Sequence, residues 1–287
     1  MRKLLIAAVA VVWLAGGVAT LRAQDQGTAP PKLLLIDRET VKFGKEMAHE
    51  KNEAGYARAE AAAKSPDHYL AVTKVSGSDE AWFLVGFDSY ADWQKAREYD
   101  DQPKVRALVE PFVEKDLDYV SNGSLLIATY NEKWSYQPNA NIAEMRYFEV
   151  ETIQRLPGHD KEWDELIALF QAADAKIHAD EADIFYEVRY GGENGLVIIF
   201  TPRKSLADLD GAMSTGEAFY AALGPDGQKK WAELSQATIA SDTSELFAFS
   251  PSMSYAPDDW VKSDPSYWKP KTMAQPKPAT PEKKKPQ

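Results

Sequence analysis

The chain has 287 residues, no cysteine and a formal net charge of −11. The lack of cysteine excludes disulfides, thiolate metal sites and a lipid-modified N-terminal cysteine. The acidic surplus argues against nucleic acid, whose phosphates attract basic patches, and suits small neutral or cationic ligands.

The first 23 residues read as a secretory signal. Arg2 and Lys3 supply the positive start, an apolar run follows over residues 4–19, and Leu21-Arg22-Ala23 offers a small residue before Gln24. The run is shorter than the roughly 20 residues that a spanning helix needs. Cleavage after Ala23 is therefore expected, with the mature chain exported to the periplasm or beyond and not held in a membrane. Residues 24–31 form a Pro/Gly/Thr linker.

A strand is predicted over 33–41, then Gly44 and a helix over 45–64, broken by Ser65-Pro66-Asp67. Strands over 68–75 and 81–87 flank a Ser-Gly-Ser-Asp turn and read as a hairpin. Asp88-Ser89 caps a helix that contains Trp93 and Ala96. A further helix covers 103–119, Asn122-Gly123 is expected to end it, and a strand follows over 124–130.

The same order then recurs. A strand over 143–153 is followed by Pro157-Gly158, a helix over 160–179, a strand over 184–190, a Gly-rich turn and a strand over 196–201. Helices over 205–222 and 226–240 and a strand over 245–250 complete the second segment. Residue echoes support a duplication. Gly44 and His49 match Gly158 and Trp163, and Trp134-Ser135-Tyr136 matches Met253-Ser254-Tyr255. The passage from Phe87 to Asp92 resembles that from Phe200 to Asp208. Two units are thus expected, 32–138 and 139–256, followed by a tail over 257–287. Its Lys/Pro-rich part, from about residue 269, has little to bury and is expected to be disordered. Trp260, Tyr267 and Trp268 stand just before that part, placed to dock on the body.

Each unit reads β-α-β-β-α-β, the split-βαβ or ferredoxin-like pattern, with an additional helix before its last strand. Such a sheet carries helices on one face, and two copies can cover each other's open faces. The expected fold class is therefore α+β, with two tandem ferredoxin-like units packed sheet to sheet. On this element order, and on Gly44 and Gly158, the chain resembles the dimeric α/β-barrel superfamily, including its antibiotic-biosynthesis-monooxygenase-like and NIPSNAP-like members. The resemblance implies a fused pseudo-dimer, either monomeric or forming a homodimer. It covers residues 32–256 and carries no catalytic motif, so it implies a cavity more than a reaction.

Alternation in the strands nominates a site. Ile184, Tyr186 and Val188 share one face, while Phe185, Glu187 and Arg189 share the other. Phe148 and Val150 alternate with Tyr147, Glu149 and Glu151. If the apolar sets pack on helices, the charged sets look between the sheets. Tyr147, Glu149, Glu187 and Arg189, with Tyr69, Thr73 and Trp82 from the first unit, would then line an amphipathic cavity for a small organic ligand. An inter-sheet ion pair without a ligand is the competing account.

His49 and Glu53 share a helix face at a spacing that can hold a metal. No third ligand is evident, and a solvated face rich in Glu, Lys and Ala is the simpler account, so no metal is predicted. His68, His159 and His178 read as surface or helix-end residues. There is no nucleophile elbow, phosphate-binding glycine loop or dinucleotide fingerprint. No cofactor is predicted, and haem enters only through the resemblance. The expected function is binding of a small organic ligand between the two sheets rather than catalysis. Two alternatives stay open. One is a cofactor-independent oxygenase or haem-linked enzyme, and the other is a non-catalytic structural or interaction module.

Overall fold

A computed structural model of the chain describes residues 29–269. The expected signal segment, most of the expected linker and nearly all of the Lys/Pro tail lie outside them. Among the described residues no helix is long and apolar enough to cross a membrane.

The first unit contributes β1 (Leu33–Val41), α1 (Glu46–Ala63), β2 (Tyr69–Lys74), β3 (Glu80–Phe87), α2 (Tyr90–Asp100), α3 (Pro103–Asp116) and β4 (Val120–Tyr130). The second contributes β5 (Tyr147–Arg155), α4 (Asp160–Ile177), β6 (Ile184–Tyr190), β7 (Leu196–Arg203), α5 (Ala212–Thr238) and β8 (Ile239–Phe249). Two short helices, α6 (Asp258–Ser263) and α7 (Pro265–Trp268), follow. Local chemistry accounts for many of these boundaries. Gly44 and Gly158 take positive φ at the two strand-to-helix turns, 78° and 84°, where an L side chain would be strained. The Ser89 hydroxyl caps α2 by accepting from the Asp92 amide, and Pro103 opens α3 where no amide donor is needed. Gly224, at φ 67° and ψ 174°, breaks the helical run of α5 before Pro225, which is why two helices are legible there in the sequence.

Several boundaries differ from expectation. Asn122-Gly123 lies inside β4 instead of ending a helix, with Gly123 opposite Glu39 in the β1 ladder. Likewise β8 begins at Ile239, where it meets Arg155 of β5. In both cases ladder hydrogen bonds to a long neighbouring strand outweigh local turn preference. At the start of the second unit, residues 142–144 form a 3-10 turn and β5 begins only at Tyr147.

All strand pairs are antiparallel and close into one eight-stranded barrel in the order β1-β3-β2-β8-β5-β7-β6-β4. Each unit supplies four adjacent strands. The units join twice, β2 to β8 and β4 to β6. The open sheet faces thus meet, as expected, and their edges are also paired. The repeated Ser-Tyr echo lies at these seams. The Ser135 hydroxyl accepts from the Phe185 amide at 3.0 Å and donates to the Asn131 carbonyl at 2.8 Å. The Ser254 hydroxyl accepts from the Ala71 amide at 2.9 Å and donates to the Ser250 carbonyl at 2.7 Å. The following tyrosines bridge by backbone to Asp183 and Tyr69. Each half therefore ends in a serine that completes the ladder of the other.

The barrel interior is apolar: Leu34, Ile36, Val72, Val150, Ile198 and Phe247 are among its buried side chains. At one end it is filled. Trp82 is fully buried, stacks on Phe247 at 4.5 Å and lies under the Arg38 guanidinium at 4.6 Å. Above it Lys74 pairs with Glu245 at 2.5 Å and with Glu80 at 3.2 Å, and the Trp82 indole donates to Glu80 at 3.0 Å. At the other end the C-terminal segment folds over the strands. The Trp268 indole, 2% exposed, donates to the Ala143 carbonyl at 2.8 Å and packs against Trp260 and Tyr267.

The seam serines carry a direct expectation. Ser254→Ala and Ser135→Ala each leave a buried amide unpaired, and each should cost ~1–3 kcal/mol in urea unfolding. A loss near zero in both would show that the seams do not depend on them.

Candidate functional site

Two of the cavities are the mouth of the barrel and a space under α1.

The mouth opens at the end opposite the Trp82 plug and encloses about 460 Å³. Its walls are barrel-interior side chains, chiefly Leu34, Leu70, Leu84, Phe148, Ile184 and Phe200. Pro138, Ala140 and Trp260 form part of the rim, together with Asp67, His68, Asp88 and Asp92. The Tyr186 hydroxyl reaches out of the wall and donates to the Pro31 carbonyl at 3.0 Å. His68 stacks on Tyr255 at 4.3 Å, and its Nδ1 lies 3.2 Å from the Tyr255 carbonyl. A carbonyl only accepts, so Nδ1 carries the hydrogen and Nε2 of the neutral ring is an acceptor. Burial, and then the charge of Glu60, push the Asp67 carboxyl up to about 6, with His68 opposing.

The second cavity, about 590 Å³, lies between the outer face of the first sheet and the helices of the first unit. His49 is 2% exposed, and its Nε2 sits 2.8 Å from Glu39 Oε2 and 3.6 Å from Asp116 Oδ1. Glu53, one turn along α1, is also buried and accepts from the Asn52 amide nitrogen. Burial, then the charges of Glu39 and Asp116, push the Glu53 carboxyl up to about 8. Burial, then Glu39, push Asp116 up to about 6. The solvated face expected for this helix is therefore corrected: His49, Asn52, Glu53 and Glu60 point at the sheet.

The nominated ligand residues scatter. Tyr69 lines both cavities. Trp82 faces the interior but belongs to the closed end. Thr73, on the Tyr69 face of β2, pairs with Ala81 and Ala248 and lies outside the barrel. Tyr147 and Glu149 lie on the outer face of β5, where Glu149 binds Arg203 at 2.6 Å and Arg203 binds Glu181 at 2.7 Å. Glu187 and Arg189 form a bidentate pair at 2.6 and 3.0 Å, and Arg189 also donates to Thr129 at 2.9 Å. The Arg189 side chain is 47% exposed, so the expectation that this pair looks between the sheets is overturned. The inversion has a simple cause. The barrel interior is walled by strands all round and takes the apolar set Ile184, Tyr186 and Val188, while the outer face beyond the helices stays wet.

Missed by sequence reasoning were Asp67 and His68 at the mouth, and Glu39 and Asp116 as neighbours of His49. One signal for Glu39 was present. β1 and β5 are both nine residues long, and Glu39 occupies the place where β5 has the buried Ile153.

No family model matches the chain, and no curated protein matches it in sequence. Solved structures match in shape. An anthrone oxidase-like protein is 13% identical over 76% of this chain and 91% of its own, with a TM-score of 0.51. A candidate monooxygenase from Fusobacterium nucleatum is 11% identical over 77% and 94%, with a TM-score of 0.48. A variant of chlorite dismutase from Candidatus Nitrospira defluvii is 11% identical over 81% and 95%, with a TM-score of 0.45. The chain has the dimeric α/β-barrel fold, built as a tandem pseudo-dimer.

The second unit offers a check on the electrostatics of its own helix–sheet layer. Burial, then Asp242 and Asp183, push Glu151 up to about 7. A carboxyl raised on folding binds its proton more tightly in the native state, so its stabilising effect is complete below the ordinary value of 4.5 and is lost as pH rises to about 7. Glu151→Gln should flatten that fall and, allowing for partial solvent contact, raise stability at pH 8 by on the order of 2 kcal/mol. Urea unfolding at pH 5 and pH 8 measures it, and an equal effect at both would contradict the assignment.

Proposed function

We propose that the protein is exported and binds, in the barrel mouth, a small and largely apolar organic molecule bearing a cationic or hydrogen-bond-donating group. One observation carries the reading: the barrel is packed solid at its Trp82 end and hollow at the other, and the hollow end is rimmed by carboxylates. Apolar walls supply affinity by burial, and a few convergent polar groups set orientation. Asp67, Asp88 and Asp92 favour a donor or a cation. The same carboxylates oppose the propionates of a haem, so haem is not part of this reading. Export rests on the charged start, apolar run and small residue that precede Gln24.

A second reading is oxidation of the bound molecule without a resident cofactor. His68 favours it, because the acceptor Nε2 beside an apolar space is placed as a general base. His68→Gln would leave binding nearly intact and abolish any oxygen consumption by the loaded protein. Unchanged consumption would exclude this role.

The binding reading is tested with phenethylamine and its neutral counterpart 2-phenylethanol, followed by thermal shift and calorimetry. The amine should bind more tightly at pH 7.5. Its affinity should fall by roughly tenfold, or ~1.4 kcal/mol, by pH 5, because Asp67 loses its charge as pH drops through about 6. The alcohol should show no such fall. Ala140→Trp, which fills the rim, should remove binding of both and leave the melting temperature of the free protein nearly unchanged. Binding that survives Ala140→Trp would place the ligand elsewhere.

A further inference from the structure

We infer that the first unit holds a divalent metal ion under α1, bound by Glu39, His49 and Asp116 with Glu53 beside them. This site is separate from the barrel mouth and does not depend on the reading given for it.

Geometry comes first. One ligand atom from each of Glu39, His49 and Asp116 lies within 4.8 Å of the other two. Ligands held at roughly 2.0–2.2 Å from a common ion lie about 3–4 Å apart, so only small side-chain shifts separate the present cluster from a coordinated one. The three residues come from β1, α1 and the last turn of α3, and their mutual placement is enforced. Gly55 of α1 lets the Phe112 ring lie where any Cβ would be 2.2 Å from it. Asn52 then donates to the Phe112 carbonyl at 2.9 Å, fixing the end of α3 that carries Asp116.

Charge is the second argument. The Glu39 and Asp116 carboxylates face one imidazole in a largely buried space, with the Glu53 carboxyl beside them, and carboxylates so enclosed need a cationic partner. Lys42, at this end, directs its ammonium to the carbonyls of Leu117 and Asp118 instead.

Third, polar atoms facing the same cavity lack hydrogen bonds. Asp116 Oδ1 is buried without a hydrogen bond, as are Glu60 Oε2 and the Tyr69 hydroxyl at the far end. Glu60 and Tyr69 are only 5% and 8% exposed. Buried polar groups in native folds are almost always completed by protein, water or a ligand. The unpartnered atoms point to an ion at the His49 end and room for a polar molecule beside it.

The duplication supplies an internal control. α1 and α4 have the same length of 18 residues, and position by position His49, Asn52, Glu53 and Tyr56 correspond to Trp163, Leu166, Ile167 and Phe170. Around these helix positions the second unit has an apolar cluster that includes Ile153, Trp163, Leu166 and Ile167, and the cavity they line is smaller, about 370 Å³. The fold thus has an apolar solution, and the first unit replaces it with a polar one at a cost in stability. One imidazole with carboxylates and no thiolate selects a first-row ion such as Zn²⁺ or Mn²⁺ over Ca²⁺ or Mg²⁺, which favour all-oxygen sets.

The full chain, stripped with EDTA, is titrated with Zn²⁺ and with Mn²⁺ by calorimetry and by thermal shift. One equivalent should bind saturably and raise the melting temperature. Glu39→Gln and Asp116→Asn keep shape and remove charge, and each should weaken binding by roughly tenfold or more. His49→Ala should abolish it, and if that variant fails to fold the two isosteric ones decide. Glu151→Gln in the second unit and Ala140→Trp at the mouth should leave the titration unchanged. No saturable binding of either ion, or binding indifferent to Glu39→Gln and Asp116→Asn, overturns the site.

Discussion

Closure of the barrel at two seams is the constraint on which the rest of this structure depends. Each unit alone has two exposed strand edges and one apolar sheet face, and neither can be left open without association or aggregation. Pairing β2 with β8 and β4 with β6 removes all four edges at once and encloses both apolar faces. The seams are short. The β2–β8 ladder spans only Val72, Thr73 and Lys74 on one side, so the serines and backbone bridges beside the ladders extend them. This gives the Ser-Tyr echo a structural cause: the same dipeptide recurs because the same edge must be completed twice, each time across the pseudo-dimer.

Closure also dictates where space can exist. A barrel of eight strands has an interior that side chains can just fill. Trp82 and Phe247, sealed by the Arg38, Lys74, Glu80 and Glu245 network, fill it at one end. At the other end loops and the docked Trp268 surround the opening, and volume is left unfilled. The inward ionic network expected from Glu187 and Arg189 does exist in kind, but other residues build it, at the closed end.

The two units share a backbone and divide the work. In the second, Trp163, Ile167 and Phe185 make the helix layer a conventional core. In the first, the sheet beneath α1 is floored by small side chains such as Ala71 and Ala81, and the helix presents polar ones. More of the helix is spent on apolar burial in the second half than in the first, and the cavity of the first is the larger and takes its polar side chains from the helix. A duplicated fold tolerates this because the barrel and the second helix layer hold the shared architecture together.

Much of the fold was legible from local signals. A near-continuous apolar run marked β1 and alternation marked β6 at their observed ends, and Gly44, Gly158 and Ser89 marked turns and a cap that the structure bears out. The repeated order of elements disclosed the duplication, and with it the barrel. The site was far less legible. Alternation states which residues share a strand face, as Glu187 and Arg189 do, but not which face looks inward when both faces of a strand find cover. His49 and Glu53 were legible as neighbours because one helix holds them. Glu39 and Asp116 were not, because their approach to His49 depends on the register of β1 and on the docking of α3 through Gly55 and Phe112. The sequence by itself determined the elements and their repetition, since these follow from side-chain periodicity and turn chemistry within a few residues. Tertiary structure alone decided which faces are dry and which distant side chains meet, because those follow from how strands close on one another across the whole chain.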